Sequence, residues 1–198
     1  MYNKYFKRVI DIIIALIGLP FFVVIYIVIG TLIKLDDKGP IFYIDRRIGR
    51  NSEIINMYKF RSMKVNSPDI RNNDGSTFNS KDDPRLTRLG RFLRETSIDE
   101  TPQLLNVLKG NMSIIGPRAS LESDLETFKD DEKDKMLVRP GISGYTQAYY
   151  RNGLNVREKR IKDAWYANNV SFILDIRIFF KTIITVLKRE NLYTNSDS

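Results

Sequence analysis

The sequence predicts a mainly helical α+β fold with one membrane-embedded segment. A run of 22 residues, from Ile12 to Ile33, carries no charge, and a helix of that length roughly spans the hydrocarbon core of a bilayer. Other stretches have helical periodicity, and two short segments have the composition of strands. The helical stretches are residues 84–94, 156–168 and 172–189, and the strand-like segments are residues 41–44 and 54–61. Arg46 and Arg47 follow the first strand-like segment and are expected in a basic turn. The chain therefore combines a membrane helix, interfacial amphipathic helices and a small β element.

Pro20 lies in the middle of the uncharged run. Proline removes a backbone hydrogen bond and crowds the preceding turn, so we expect the helix to break or kink there. Both flanks of the run are basic, and basic flanks are retained on the cytoplasmic side. The pattern favours a helix-break-helix hairpin over residues 1–38 that re-enters the same face, which would leave residues 39–198 on the cytoplasmic side. A single-pass anchor with a tolerated proline is the alternative.

The composition excludes several chemistries. The chain has no cysteine and no histidine, which removes disulfides, thiol catalysis and the commonest general base. Any divalent metal ion would be bound by oxygen ligands, as magnesium is. The formal net charge of +8 indicates an anionic partner, either nucleic acid, a nucleotide-activated substrate or an acidic membrane surface.

Asp99 and Glu100 are the strongest candidates for chemistry. Thr101 is a plausible N-cap, so the sequence predicts a helix from Pro102 to Lys109, ended by Gly110. Arginines recur upstream at positions 85, 88, 91 and 94, and Arg118 follows downstream. A carboxylate pair among arginines indicates phosphate chemistry assisted by a divalent ion. The alternative is that the pair is only a capping signal.

Other basic and aromatic residues allow two interpretations each. Alternation places Lys59 and Arg61 on one strand face, where they could bind a phosphate or simply face solvent. Arg151 follows a group of three tyrosines, which could stack on a base or sugar or could pack in the core. The glycines of residues 139–144 would allow a ligand to approach the backbone.

Three helices could contact a membrane surface. Residues 84–94 form a basic amphipathic stretch that suits either an interface or a core. Trp165 and Tyr166 favour a membrane interface on the helix over residues 156–168. The last helix, from Phe172 to Arg189, is apolar over most of its circumference and could close the core or lie half in the bilayer.

Eight motifs follow one another along nearly the whole chain. They are Lys7-Arg8 with Asp11, Pro20, Gly39-Pro40 with Phe42, Arg47 with Gly49, Lys59-Phe60-Arg61-Ser62-Met63, Asp99-Glu100 with Pro102-Gln103-Leu104, Gly116-Pro117-Arg118 and Arg139-Pro140-Gly141. Together they resemble the bacterial sugar transferase family, and specifically its minimal monotopic phosphoglycosyl transferases, which consist of the catalytic unit alone.

The resemblance implies a cytoplasmic catalytic domain, residues 39–198, seated at the membrane interface, and it implies an activity and its partners. A sugar 1-phosphate would pass from a UDP-sugar to undecaprenyl phosphate at the cytoplasmic face of the bacterial inner membrane. Asp99 would form a covalent aspartyl phosphosugar and release UMP, and Mg²⁺ would be held by Asp99 and Glu100. The resemblance also makes a set of cations candidates for the diphosphate or the polyprenyl phosphate. They are Lys59, Arg61, Arg94, Arg118 and Arg151.

Four positions depart from the family pattern. Leu19 stands where serine is common and Asp45 where glutamine is common. Ala119 replaces a usual proline and Thr146 a frequent tryptophan, which bears on sugar or nucleotide specificity. The sugar is therefore open, with an N-acetylated amino sugar favoured over galactose or glucose, and so is the oligomeric state, for which a homodimer is one option.

Two other functions remain as alternatives. A glycosyltransferase that moves only the sugar would release UDP, but the Asp-x-Asp motif that such enzymes often use is absent from the sequence. A non-catalytic membrane adaptor with a basic face would explain the charge and the anchor but not the carboxylate pair. Nucleic-acid binding is disfavoured because the sequence lacks a basic, aromatic-interleaved motif.

Overall fold

The computed structural model describes residues 2–70, 78, 80, 83–151 and 153–188. The α-helices are α1 (Lys7–Asp37), α2 (Arg88–Thr96), α3 (Gln103–Lys109), α4 (Asp130–Lys133), α5 (Tyr145–Tyr149), α6 (Val156–Asn168) and α7 (Phe172–Lys188). The strands are β1 (Phe42–Ile48), β2 (Ile54–Phe60), β3 (Ser113–Ile115) and β4 (Gly141–Ser143). A π-helical segment, Tyr2–Phe6, precedes α1, and 3₁₀ turns occur at Ile98–Glu100, Glu122–Thr127 and Asp134–Leu137. The predicted mainly helical α+β fold is confirmed.

Helix α1 is continuous through Pro20, so the predicted interruption of the helix at this residue is wrong. The proline ring lies on an exposed side of the helix, where the missing N–H costs one hydrogen bond without a clash against the rest of the protein. Packing on either side supports the helix, since Gly18 contacts Leu104 and Phe22 contacts the ring of Phe60. The re-entrant topology itself stays a prediction.

One stripe of α1 packs on the rest of the protein along the whole helix. Its buried residues recur every four or seven positions, as expected for one helix face. They are Lys7, Asp11, Ala15, Phe22, Ile29 and Ile33. The remaining circumference is exposed and almost entirely apolar, including Ile17, Phe21 and Val24. A surface this large and apolar indicates membrane association, and α1 is long and apolar enough to cross a bilayer.

Strands β1 and β2 form an antiparallel hairpin that pairs Phe42 with Phe60 and Ile48 with Ile54. Arg46 and Arg47 were expected in a turn after the first strand. They lie inside β1 instead, opposite Asn56 and Ile55. The strand extends this far because its buried residue Ile48 reaches the core and its N–H donates to the Ser120 carbonyl. The hairpin carries Lys59 at the end that faces the candidate site.

Strands β3 and β4 form a short parallel pair in which Ser113 aligns with Gly141. The loops beside them touch backbone to backbone. A Cβ atom on Gly116 would lie 2.4 Å from the Arg139 carbonyl oxygen, and one on Gly144 would lie 2.0 Å from the Gly116 carbonyl oxygen. The glycines of residues 139–144 were expected to admit a ligand. Gly144 instead allows two protein segments to meet, which fixes the loop that carries Arg118.

Helices α6 and α7 close the protein and hold the start of α1. The hydroxyl of Tyr166 donates to Asp175 at 2.6 Å, and Lys7 donates to the same carboxylate at 2.6 Å. Tyr166 is fully buried, so its predicted place at a membrane interface is wrong, whereas Trp165 is exposed. Helix α7 buries Asp175 and Ile178 but exposes a wide apolar face. This face includes Phe172, Ile173, Phe180, Ile184 and Leu187.

Candidate active site

The candidate carboxylates lie in the 3₁₀ turn Ile98–Glu100, between α2 and α3. Ser97 ends α2 in a left-handed conformation, with φ at 58°, and its N–H donates to the Arg94 carbonyl. Helix α3 begins one residue later than predicted. Thr101 does not cap it, because its hydroxyl donates to the Ile98 carbonyl at 2.9 Å. The sharp turn at Ser97 directs the pair toward the end of the β1–β2 hairpin.

Lys59 is the cation nearest to Glu100. Its Nζ lies 3.3 Å from the Glu100 carboxylate, and the two side chains are 15% and 23% exposed. Asp99 is more deeply buried, at 8% exposure. A lysine and two carboxylates, all shielded from bulk water, interact more strongly than they would on an open surface.

Two arginines complete the group of charges around the pair. Arg94, from α2, donates through Nε to the Ser62 hydroxyl at 3.0 Å. Arg118, from the loop after β3, is exposed, and its charge acts on both carboxylates. The structure therefore brings together the predicted residues Lys59, Arg94, Arg118, Asp99 and Glu100.

The two carboxylates have different affinities for protons. Burial and, second, the neighbouring charge of Glu100 raise the pKa of Asp99 to about 6, against the opposing effect of Lys59, Arg94 and Arg118. Burial also acts to raise the pKa of Glu100, but Lys59 and then Arg118 outweigh it and hold that pKa below its usual range. Glu100 thus carries the constant negative charge, and Asp99 is the group that titrates near neutrality.

A cleft with about 240 Å³ of free space opens beside the pair. Its walls are Arg47, Met57, Lys59, Glu100, Gln103, Arg118, Ala119, Gly141 and Gln147.

Sequence reasoning did not assign a role to Arg47, Gln103 or Gln147. Arg47 and Gln103 stand within motifs that carried the family resemblance, which was the available signal. Arg47 forms an ion pair with Asp45 and donates to the Ala119 carbonyl at 3.3 Å. Gln147 donates to the Ile142 carbonyl at 3.1 Å. No local pattern distinguishes these residues from structural ones.

Arg61 and Arg151 are placed on other features of the fold. The guanidinium of Arg61 packs against Gly39, where a Cβ atom would lie 1.8 Å from Nη1. Its backbone N–H donates to the Ile41 carbonyl, so the residue joins the hairpin to the end of α1. Arg151 follows α5 in a left-handed conformation, with φ at 46°. The assignment of either arginine to a phosphate stays a prediction.

The carboxylate pair has the donor chemistry for one magnesium ion. In the part of the chain that the structure describes, no three acidic side chains group together as a protein-only metal cage. Magnesium does not require one, because it is commonly held by one or two carboxylates together with substrate phosphates and water. The residues present therefore fit a metal that binds together with a phosphorylated substrate.

Comparisons with known proteins show which family the chain belongs to. The family model for bacterial sugar transferases matches residues 2–189. The undecaprenyl-phosphate galactose phosphotransferase of Salmonella typhimurium is 36% identical over 96% of this chain and 42% of its own length. The N-acetylgalactosaminephosphotransferase of Aeromonas hydrophila, named for UDP-N-acetylgalactosamine and undecaprenyl phosphate, is 39% identical over 92% of this chain and 44% of its own length.

A third relative is matched over most of its length. The exopolysaccharide production protein ExoY of Sinorhizobium fredii is 35% identical over 94% of this chain and 88% of its own length. The chain thus spans less than half of the first two relatives and nearly all of the third. Because the family model matches almost every residue, the chain belongs to the bacterial sugar transferase family.

Proposed function

We propose that this chain transfers a sugar 1-phosphate from a UDP-sugar to undecaprenyl phosphate in two steps. In the first step, a carboxylate oxygen of Asp99 attacks the phosphorus next to the sugar. The bond from that phosphorus to the bridging oxygen breaks, and UMP leaves. In the second step, a phosphate oxygen of undecaprenyl phosphate attacks the aspartyl phosphosugar, so undecaprenyl diphosphate sugar forms and Asp99 is regenerated.

The observation that carries this proposal is the buried carboxylate of Asp99 beside the partly buried Glu100, with the charges of Lys59, Arg94 and Arg118 around them. A pKa of about 6 leaves Asp99 mostly ionised at neutral pH. Burial strips water from this carboxylate, and a poorly solvated anion is a better nucleophile. Glu100 keeps its charge through Lys59, so it does not compete for the proton of Asp99.

The cations have separate roles in the proposal. Arg118 is exposed at the edge of the cleft. There its guanidinium can donate two parallel hydrogen bonds to the diphosphate. Lys59 is the point charge that lies closest to the carboxylates and can offset charge on the transferring phosphoryl oxygens. Arg94 is held by its hydrogen bond to the Ser62 hydroxyl, and its positive charge offsets the repulsion between Asp99 and a substrate phosphate.

Asp99 and Glu100 would hold Mg²⁺ together with the substrate phosphates. The ion would supply Lewis-acid stabilisation of the phosphoryl oxygens. Binding can be followed without turnover. Mg²⁺ with UMP should raise the thermal midpoint of the native protein and should not raise that of Asp99→Asn. Equal shifts in both proteins would place the metal elsewhere.

The lipid acceptor accounts for the apolar surface. Undecaprenyl phosphate presents its phosphate at the membrane interface, and α1 and α7 expose wide apolar faces on the same molecule. Because α1 packs on the domain from Lys7 to Ile33, the domain accompanies the helix along its whole length. That packing supports a re-entrant helix at the cytoplasmic face of the inner membrane better than a separate spanning anchor.

The donor in this proposal carries an N-acetylated amino sugar. The relative from Aeromonas hydrophila is named for N-acetylgalactosamine and the relative from Salmonella typhimurium for galactose. Both UDP-sugars therefore belong in the first panel, together with UDP-N-acetylglucosamine.

The test is the nucleotide that the protein releases from this panel, with Mg²⁺ and undecaprenyl phosphate in detergent. We expect UMP from the native protein and none from Asp99→Asn. Asp130→Asn is the matched control, because it removes the same charge from a side chain that is 99% exposed. Release of UDP would support the sugar-only glycosyltransferase. Release of neither nucleotide by folded protein would support the membrane adaptor.

A further inference from the structure

Arg118 and Glu100 line the same cleft, although in the described part of the chain no hydrogen bond holds the Arg118 guanidinium. The position of this side chain is set through the backbone of its loop. Three hydrogen bonds fix the neighbours of Arg118, and they involve residues 117, 119 and 120. Gly141 N–H donates to the Pro117 carbonyl at 3.0 Å, Arg47 donates to the Ala119 carbonyl at 3.3 Å and Ile48 N–H donates to the Ser120 carbonyl at 2.9 Å.

The contact to Arg118 itself comes from Asp163, on α6. Its Oδ2 accepts the Arg118 N–H at 3.2 Å and the Lys135 ammonium at 3.2 Å. Its Oδ1 accepts the hydroxyl of Thr146 at 2.8 Å. Lys135 also donates to the Ser120 hydroxyl at 3.0 Å, so the network holds the loop at two places.

This network is buried and charged. Asp163 is 1% exposed and the Lys135 side chain 6% exposed. Removing two charges from water costs several kcal/mol per ion, and apolar residues of similar volume often stabilise a core as well or better. Stability alone is therefore a weak reason for this arrangement. The network joins four elements, namely α5, α6, the turn Asp134–Leu137 and the Arg118 loop. The last of them bears Arg118, a charged residue of the site.

We propose that Asp163 is a positioning residue for the transfer reaction and acts through Arg118. Together with Lys135 and Thr146 it holds the Arg118 backbone at the position from which the guanidinium reaches a phosphate beside Asp99. The role in transfer rests on the proposed function, whereas the link from Asp163 to Arg118 is a property of the fold. Thr146 acquires a role here at a position where the family frequently has tryptophan.

The test is a double-mutant cycle of Asp163→Asn with Arg118→Ala. We expect Asp163→Asn to lower kcat/KM for UMP release about 100-fold, as for a displaced catalytic group. In the Arg118→Ala background the same substitution should cause no further loss, because the residue through which it acts is gone. If the double variant instead lost kcat/KM by the product of the two single-variant factors, the two residues would act independently and the proposal would be overturned.

Asp175→Asn is the matched control. Asp175 is also a buried carboxylate, paired with a lysine and two tyrosine hydroxyls, but it holds α1 and α7 rather than the Arg118 loop. If Asp163 were only structural, the two variants would behave alike in a folded preparation. We expect Asp175→Asn to lower kcat/KM by the same factor with and without Arg118→Ala. Asp163→Asn should lower kcat/KM only when Arg118 is present.

A second pair of variants covers the case in which Asp163→Asn does not fold. Thr146→Val removes one hydroxyl and keeps the shape, and Thr146→Ser restores the hydroxyl. We expect a loss with Thr146→Val, rescue with Thr146→Ser and no effect of either in the Arg118→Ala background. Equal losses with both variants would overturn the proposal.

The cycle can also be measured without turnover. The probe is UDP, whose dissociation constant is determined in detergent for the same variants. Coupling between Asp163 and Arg118 in UDP binding would support the positioning role even if the released nucleotide proved to be UDP rather than UMP. No coupling in UDP binding, in variants shown to be folded, would contradict it.

Discussion

Asp99→Asn should abolish transfer and yet stabilise the protein. The carboxyl of Asp99 is buried, with a pKa of about 6 against an ordinary value of 3.8. A folded-state pKa above the unfolded value means that the folded state binds the proton more tightly. The native protein therefore loses stability as the pH rises from about 4 to about 6. At neutral pH the difference of about two pKa units corresponds to at most about 3 kcal/mol of lost stability.

Asparagine has nearly the same shape and no charge, so it removes this cost. For a chain of this size we expect the thermal midpoint at pH 7.5 to rise by up to about 6 to 12 °C. The gain should shrink toward zero at pH 4, where the native Asp99 is already neutral. The assay is thermal unfolding in detergent with a chelator present, from pH 4 to pH 8, with Asp130→Asn as the exposed control. A destabilised Asp99→Asn at pH 7.5, or a gain that does not change with pH, would refute the reasoning.

Three further predictions concern the site and the packing beside it. Lys59→Met removes the ammonium group that lies 3.3 Å from the Glu100 carboxylate and should slow UMP release roughly 100- to 1,000-fold. A decrease in rate of less than about tenfold would contradict the role of Lys59 in the transfer. Gly90→Ala places a Cβ atom 1.7 Å from the Ser62 carbonyl oxygen and should cost about 1–3 kcal/mol in chemical denaturation, and an unchanged midpoint would contradict this packing. Below about pH 6, kcat/KM should fall about tenfold per pH unit as Asp99 is protonated, whereas a flat profile to pH 5 would exclude Asp99 as the nucleophile.

The parts of the site that the sequence predicts are those carried by short motifs. Asp99 and Glu100 are adjacent, and Lys59, Arg94 and Arg118 each stand in a local pattern with a physical meaning. The strand and helix that carry Lys59 and Arg94 have clear alternation and helical periodicity. Local patterns indicated these residues, and the family resemblance named the cations as candidates for phosphate binding. The same resemblance also named Arg61 and Arg151, for which this role stays a prediction.

The remaining features depend on contacts between distant parts of the chain. Helix α1 passes through Pro20 because packing partners far along the sequence hold both sides of it. Arg47 lies in a strand rather than a turn because Ile48 pairs with the loop at Ser120. The hydrogen bond from Arg118 to Asp163 joins residues 45 positions apart, and no local pattern around Asp163 indicates it.

The central claim is that Asp99 becomes covalently linked to the sugar phosphate. The most direct measurement is intact-protein mass spectrometry after mixing the protein with its UDP-sugar and Mg²⁺ in the absence of undecaprenyl phosphate. We predict a mass increase of one sugar phosphate on the native protein, located to the peptide that contains Asp99, together with about one equivalent of UMP. Addition of undecaprenyl phosphate should discharge it. Turnover with UMP release but no adduct at any time, or an adduct that persists in Asp99→Asn, would contradict the claim.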